Sequence, residues 1–448
     1  MKVAIVYVVF CLLAPLAFWR WRPAAAVLVV FLGGWLVLPV GHFPAGSAGS
    51  VFPYWITGLA VPSDMLLTKA WVAPGAALIG ALAFDRRRWA NVRPAWCDAP
   101  IALWCGWPLL QGAFISASDP PSGLACLYLG GAWGVPWCLG RVYFSDAAAQ
   151  RLLARGLALS ALACLPIALL EGAIGPVVYD SLYEPHPFRL DGIERYFGFR
   201  PLAMFEDGNQ YGIWISLCAL AALWLAVVAE PGRAKFTARV VASVVSAMAL
   251  AAQSVGALLM LATGCLFLSV CRWLRPRGMV AAAAALLVVA GALYVSGRVP
   301  ITRLAKETAL GHHVVEGLRG IGRGSLGWRV AQDQKLLPDA MARPLLGQGR
   351  WDWWRSRETR PWGLSVLVLG QFGLPGLAFL LGALLFPAAR VTLRAPRSSG
   401  WSPAGLPLLL ASVIGLSVVD ALMNSFIFFP AVLIAGALAG DRTRPQLR

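Results

Sequence analysis

The chain has 448 residues, of which 59% are hydrophobic and 13% charged, and its net charge is +17. Soluble proteins are about half apolar and about a quarter charged, so this composition excludes a soluble enzyme, a disordered chain and a secreted disulfide scaffold. The apolar runs are continuous, which argues against a transmembrane β-barrel. Since helices satisfy the backbone inside lipid, the sequence predicts an all-α, polytopic transmembrane helical bundle, with residues 1–448 as one integral membrane domain.

Apolar runs of roughly 16 to 25 residues, the length that a bilayer requires, predict twelve or thirteen spans. In chain order these spans are 3–18, 24–40, 65–84, 98–117, 124–140, 152–171, 208–228, 238–252, 254–270, 279–297, 362–387, 404–421 and 426–440. The eighth and ninth are joined by almost no loop, which leaves the count open by one.

The loops between these spans alternate between basic and non-basic. Loops 41–64, 118–123 and 422–425 contain no Lys or Arg. The positive-inside rule places the short basic loops in the cytoplasm. It therefore places the non-basic loops on the opposite, outer side.

Two outer segments break this pattern. Segment 172–206 carries three Arg, and segment 298–361 carries ten Arg and two Lys. Long loops cross a membrane regardless of their charge, so the predicted topology is unchanged. Apolar residues at helical spacing over 328–341 predict that the larger segment is a cap with a short helix at the membrane surface.

Arginine outnumbers lysine in both segments, and the guanidinium group binds phosphate through two parallel hydrogen bonds. The enrichment therefore indicates a polyanionic ligand on the outer side. The alternatives are salt bridges within the loop and contacts with anionic lipid head groups.

Residues 195–211 place a cluster of polar side chains at the mouth of the seventh span. Charged groups near membrane depth are costly unless they face a polar cavity, and a helix start can bind an anion through its unpaired N–H groups. A capping cluster with Asp207 as the N-cap is the structural alternative. The candidate residues of this stretch are Arg195, Arg200, Glu206 and Asn209.

The pair His312-His313, with Glu316 one turn later, lies in the larger segment. A neutral imidazole can accept a hydroxyl proton near pH 7, so His313 is a candidate general base, and a solvated or structural pair is the alternative. The sequence contains no nucleotide-binding glycine motif and no acidic or Cys/His cluster with metal spacing. It predicts no metal, no cofactor and no nucleic-acid partner.

At four stretches the chain resembles the bacterial O-antigen ligase and polysaccharide polymerase superfamily, over roughly residues 60 to 440. These stretches are 134–144, 198–209 with its Arg-Pro, 253–257 with Val where the family has Arg, and 325–329 followed by the Arg-Pro-Leu-Leu-Gly-Gln-Gly turn of 343–349. Ligases of the family carry a His before a Gly-Leu-x-Gly stretch at a late span. Here that His is missing and Arg360 and Trp362 stand nearby, which favours the polymerase branch.

The resemblance implies a metal-independent, inverting glycosyltransferase of the bacterial inner membrane with its active face in the periplasm. It would polymerise or transfer undecaprenyl-pyrophosphate-linked oligosaccharide, with a lipid-linked or glycan acceptor and a chain-length regulator as a further partner. Arg200 and Arg329 would neutralise the leaving pyrophosphate, and Glu206 or His313 would activate the acceptor. The implied substrate-binding residues are Arg195, Arg323, Asn209, Arg360 and Trp362.

Three other functions remain open at the level of the sequence. A ligase with another acceptor would transfer its glycan once per acceptor. A transporter or flippase of lipid-linked sugar would need polar residues within many spans. A non-catalytic scaffold would bind acidic polysaccharide through its arginines.

Overall fold

The computed structural model describes residues 2–40, 67–90, 92–183, 197–279, 308–320, 325–357, 359–396 and 399–440, with a few single positions between them. The regular secondary structure of the described residues is helical apart from a two-stranded antiparallel hairpin, β1 (Glu194–Arg195) and β2 (Gly198–Phe199). The predicted all-α class is confirmed.

The helices, numbered in chain order, are α1 (Lys2–Arg20), α2 (Pro23–Val37), α3 (Lys69–Phe84), α4 (Arg86–Ala90), α5 (Ala99–Gly112), α6 (Ser122–Leu129), α7 (Val135–Tyr143), α8 (Ala147–Ala163), α9 (Leu165–Ile174), α10 (Val178–Leu182), α11 (Gly208–Val228), α12 (Arg233–Ala251), α13 (Val255–Val270), α14 (Ala309–Gly320), α15 (Ser325–Ala340), α16 (Leu364–Arg394), α17 (Leu406–Ala421) and α18 (Pro430–Ala439). A π-helical turn, Gly130–Gly134, joins α6 and α7.

Six of the described helical stretches are long and apolar enough to cross a membrane, which makes the chain a multi-pass membrane protein. They are Lys2–Arg20, Ala147–Ile174, Gly208–Val228, Arg233–Ala251, Leu364–Arg394 and Pro403–Ala421. Other predicted spans form shorter apolar helices. The span predicted over 426–440, for example, becomes helical only at Pro430, because proline is favoured in the first turn of a helix. The span predicted over 279–297 lies mostly outside the described residues.

Helix α11 lies at the centre of the bundle, where it packs against α8, α12, α13 and α17. Most of its residues are buried. Helices α11 and α16 begin at the same end of the bundle, which we call the loop end. The helix predicted over 328–341 is α15, and α15 packs against α16 there.

Helix α16 is broken at Gly373, whose φ of 72° no helix contains. Pro375 has no N–H group, so the carbonyl of Gln371 would lack its helical partner. That carbonyl accepts hydrogen bonds from the backbone N–H of Gly349 at 3.1 Å and from Nε2 of Gln111 at 2.7 Å. The Gly-Gln-Gly turn of the large loop is therefore fixed to the break in α16.

Candidate functional site

Residues 200–207 form a non-helical turn that leads into α11 at the loop end. The turn is buried except for the half-buried Asp207, and only 4% of Arg200 and 1% of Glu206 are exposed. Connecting segments normally lie at the surface, because buried backbone polar groups need partners. The partners of this turn come from distant helices.

Two ionisable side chains hold the turn. The carboxylate of Glu171, near the end of α9, accepts the N–H groups of Leu202 at 2.8 Å and Ala203 at 2.7 Å. Lys69, the first residue of α3, donates to the carbonyl of Met204. Ala203 has a φ of 49°, a left-handed conformation that costs a non-glycine residue about 1–3 kcal/mol. The contacts from Glu171 and Lys69 hold the backbone in this strained turn.

Lys69 is itself 1% exposed. Its ammonium lies 5.0 Å from the ring centroid of Trp35 and 5.1 Å from that of Phe205, and the charge of Glu206 acts on it. Cation–π contacts and an opposite charge compensate part of the desolvation of a buried ammonium. The sequence analysis did not select Lys69 or Glu171, although a single ionisable residue within an apolar run is a signal that could have identified both.

Arg200 is bound on two sides. Its Nε donates to the carbonyl of Ala252 at 3.1 Å and its Nη2 donates to Oδ1 of Asn209 at 3.0 Å. A Cβ atom at Gly208 would lie 2.3 Å from Nε of Arg200, so any larger residue there would displace the Arg200 side chain. Two predicted site residues, Arg200 and Asn209, are thus in direct contact.

Asp207 caps α11, since its Oδ1 accepts the N–H of Gln210 at 2.7 Å. The capping alternative for this stretch is therefore confirmed. Asp207 also connects two parts of the site, because Nδ2 of Asn209 lies 3.3 Å from its Oδ2 and its charge acts on Arg360 of the large loop.

Arg329 on α15, together with Arg360 and Trp362, forms a group that we call the Arg–Trp cluster. The central guanidinium carbon of Arg360 lies 4.0 Å from the ring centroid of Trp362, and that of Arg329 lies 5.1 Å away. Arg329 also donates to the carbonyl of Met423 at 3.1 Å and to Oδ1 of Asn424. These contacts attach α15 to the connection between α17 and α18.

The two arginine-rich segments meet at Arg360. Burial lowers the pKa of Arg360 to about 10; the negative charges of Asp207 and Glu206 oppose this change and the positive charge of Arg329 adds to it. Arg360 is therefore close to Glu206 at the end of the first segment, to Asp207 at the start of α11, and to Arg329 of its own segment. The sequence predicts that these residues lie on one side of the membrane, and the fold brings them close together.

Asp333, which the sequence analysis did not select, fixes the backbone of this cluster. Its Oδ1 accepts the N–H of Trp362 at 2.7 Å and its Oδ2 accepts the N–H of Gly363 at 2.9 Å. Burial raises its pKa to about 7, although both N–H groups and Arg329 act in the opposite direction. Its position four residues after Arg329 on one helix face is the signal that could have identified it.

The remaining predicted residues are elsewhere. Arg195 is exposed on β1, paired in register with Gly198. His313 is exposed on α14, beside His312, whose Nε2 lies 3.1 Å from the carboxylate of Glu316. Arg323 lies outside the described residues.

Helix α14, which carries His313, packs against α15, which carries Arg329. Within the described ranges, no group of three or more His, Cys, Asp or Glu residues could hold a metal ion. The roles of Arg195, Arg323 and His313 remain predictions.

No protein-family model and no curated protein sequence match this chain. The resemblance to the O-antigen ligase and polysaccharide polymerase superfamily therefore remains a prediction.

Proposed function

We propose that this chain is a membrane glycosyltransferase that polymerises or transfers oligosaccharide from undecaprenyl pyrophosphate at the loop end of its bundle. The observation that carries the proposal is the Arg–Trp cluster, in which two guanidinium groups contact one indole ring. The positive charge of each arginine makes the charged form of the other less favourable. The carboxylates of Asp207 and Glu206 offset part of this positive charge, and guanidinium groups also bind phosphate oxygens through parallel hydrogen bonds. A pyrophosphate group is an anion that two such groups can bind together.

In the proposed reaction a sugar hydroxyl of the acceptor attacks the anomeric carbon of the donor. The new glycosidic bond forms as the bond to the pyrophosphate oxygen breaks, and its electrons leave with the pyrophosphate. Arg329 and Arg360 stabilise the charge that develops there. A single displacement of this kind inverts the anomeric centre.

The hydroxyl proton goes to Glu206 or to His313. The charge of Glu206 acts on Arg360 of the cluster, but only 1% of Glu206 is exposed. His313 is exposed on α14, where an acceptor hydroxyl can reach it. Arg200 positions the turn that carries Glu206, through its bonds to Ala252 and Asn209. A positioned group of this kind raises the rate by holding the reactants in alignment.

The membrane and the face are part of the proposal. The loop end carries the described parts of segments 172–206 and 298–361, and the predicted topology assigns the short basic loops to the opposite end. By the positive-inside rule the loop end faces away from the cytoplasm. In a bacterial inner membrane this face is the periplasmic one, where a lipid-linked glycan would be used.

The test uses protein purified in detergent, a polyprenyl-pyrophosphate oligosaccharide and no added metal, with product length read on a gel. We expect a ladder of products, and we expect Arg329→Ala to slow its formation by about 100-fold or more. The matched control is Arg357→Ala, since Arg357 is exposed in the same loop and pairs with Asp339 at 2.6 Å. A single shifted band would indicate a ligase.

A transporter of lipid-linked sugar is the second candidate, and the buried pair Lys69 and Glu206 favours it, since ionisable groups at membrane depth mark translocation pathways. In that case no glycan product forms. Reconstituted liposomes would instead show movement of the lipid-linked sugar from one leaflet to the other.

A further inference from the structure

Trp328 lies on α15 directly before Arg329, and 51% of its surface is exposed. Its ring meets Trp362 edge-on, with centroids 5.0 Å apart and an interplanar angle of 64°. A large aromatic ring that is half exposed offers apolar area to a ligand. Trp328 is therefore open to a ligand beside the Arg–Trp cluster.

The neighbour of Trp328 identifies the part of a ligand that would reach it. Trp362 carries the guanidinium groups of Arg329 and Arg360 at 5.1 and 4.0 Å, and these groups bind the pyrophosphate under the proposed function. In a lipid-linked glycan the anomeric carbon of the first sugar is bonded directly to a phosphate oxygen. The first sugar ring must therefore lie next to the pyrophosphate, and Trp328 is an exposed ring next to Trp362, with centroids 5.0 Å apart.

We propose that Trp328, supported edge-on by Trp362, forms the subsite for the pyranose ring that is bonded to the pyrophosphate. This inference rests on the proposed function and adds a sugar-recognition role to it. A pyranose presents a face of C–H groups, and the face of an indole carries negative potential and a large apolar area. Stacking of the two faces holds the anomeric carbon beside the cluster, where the leaving group is stabilised.

The competing explanation is that Trp328 is a membrane-interface anchor, because tryptophan is enriched at both membrane surfaces. Trp273 provides the matched control: it is 80% exposed and follows the C-terminal end of α13, whereas the loop end lies at the start of that helix. The 16 residues of α13 separate the two ends by about 24 Å. An anchoring role predicts similar effects of Trp273→Ala and Trp328→Ala.

The experiment measures binding of two ligands to the full chain in detergent: undecaprenyl pyrophosphate, and the same lipid with one sugar attached. We expect the wild type to bind the sugar-bearing lipid more tightly. Trp328→Ala should weaken its binding about tenfold, equivalent to about 1.4 kcal/mol, and should leave the bare lipid unchanged. Trp328→Phe should retain most of the preference for the sugar-bearing lipid, and Trp273→Ala should retain all of it. Arg329→Ala should weaken the binding of both ligands.

The outcomes separate this inference from the proposed function. If Trp328→Ala weakens the binding of both ligands equally, or of neither, the sugar subsite is overturned. The proposed pyrophosphate site would not be affected by that result. The same holds if the folded wild type binds both ligands equally. If the wild type binds neither ligand, the proposed function fails and the subsite fails with it.

Discussion

The carboxyl group of Asp333 should give this protein a stability that depends on pH near neutrality. In the unfolded chain this group titrates near 3.8, and in the folded protein burial raises its pKa to about 7. Between these pH values the folded state holds a proton that the unfolded state has lost. The free energy of unfolding therefore falls as the pH rises from about 4 to about 7, and it is flat above that range.

The magnitude follows from the same two values. One pKa unit corresponds to about 1.4 kcal/mol, so the full change is at most about 4 kcal/mol. Asp333→Asn removes this titration and replaces one acceptor by a donor, which leaves the N–H of Trp362 or Gly363 without its bond. A buried N–H that loses its partner costs about 1–3 kcal/mol. The variant should thus be less stable than the wild type at pH 5, and this difference should shrink or reverse at pH 8.

Thermal unfolding in detergent, followed from pH 5 to pH 8, measures both effects. Asp339→Asn is the matched control on the same helix, because its pairing with Arg357 lowers the pKa of Asp339 and keeps that group ionised throughout this range. The unfolding midpoint of the control should therefore change with pH in the same way as that of the wild type. If Asp333→Asn also runs parallel to the wild type at every pH, the argument from the buried carboxyl is refuted.

Three further predictions concern packing, charge and geometry. Gly363→Ala should lower the thermal unfolding midpoint, since a Cβ atom there would lie 2.5 Å from a backbone carbonyl oxygen and overpacking costs about 1–3 kcal/mol. The control is Gly415→Ala, because a Cβ atom at that position would have no neighbouring atom within 4 Å. Lys69→Met should destabilise the protein by about 3–5 kcal/mol because it leaves the charge of Glu206 buried without its opposite charge. The double variant with Glu206→Gln should recover most of this stability in the same unfolding assay. If it recovers none, the two charges are not coupled. Arg200→Lys should keep the charge and still reduce polymer formation on the gel severely, because an ammonium cannot reproduce the two-sided contact of a guanidinium; normal polymer at normal protein level would remove Arg200 from the site.

The local elements of the site follow closely from the sequence. The apolar spacing over 328–341 predicted α15, and the Asp at 207 before an apolar run marked the start of α11. Arg200 and Asn209 are close in the chain, so their contact depends on one turn and one helix cap. Periodicity and caps act over a few residues, and these features were therefore predictable.

The sequence by itself determined that this is an all-α membrane protein and that segments 172–206 and 298–361 concentrate arginine, because both properties depend on composition and on periodicity along the chain. Only the tertiary structure decided which of those arginines meet. Lys69 reaches the carbonyl of Met204 across 135 positions, and Arg329 reaches Met423 across 94. Such contacts depend on how the helices pack, and the burial that shifts the pKa values of Asp333 and Arg360 exists only once α15 and the start of α16 have come together.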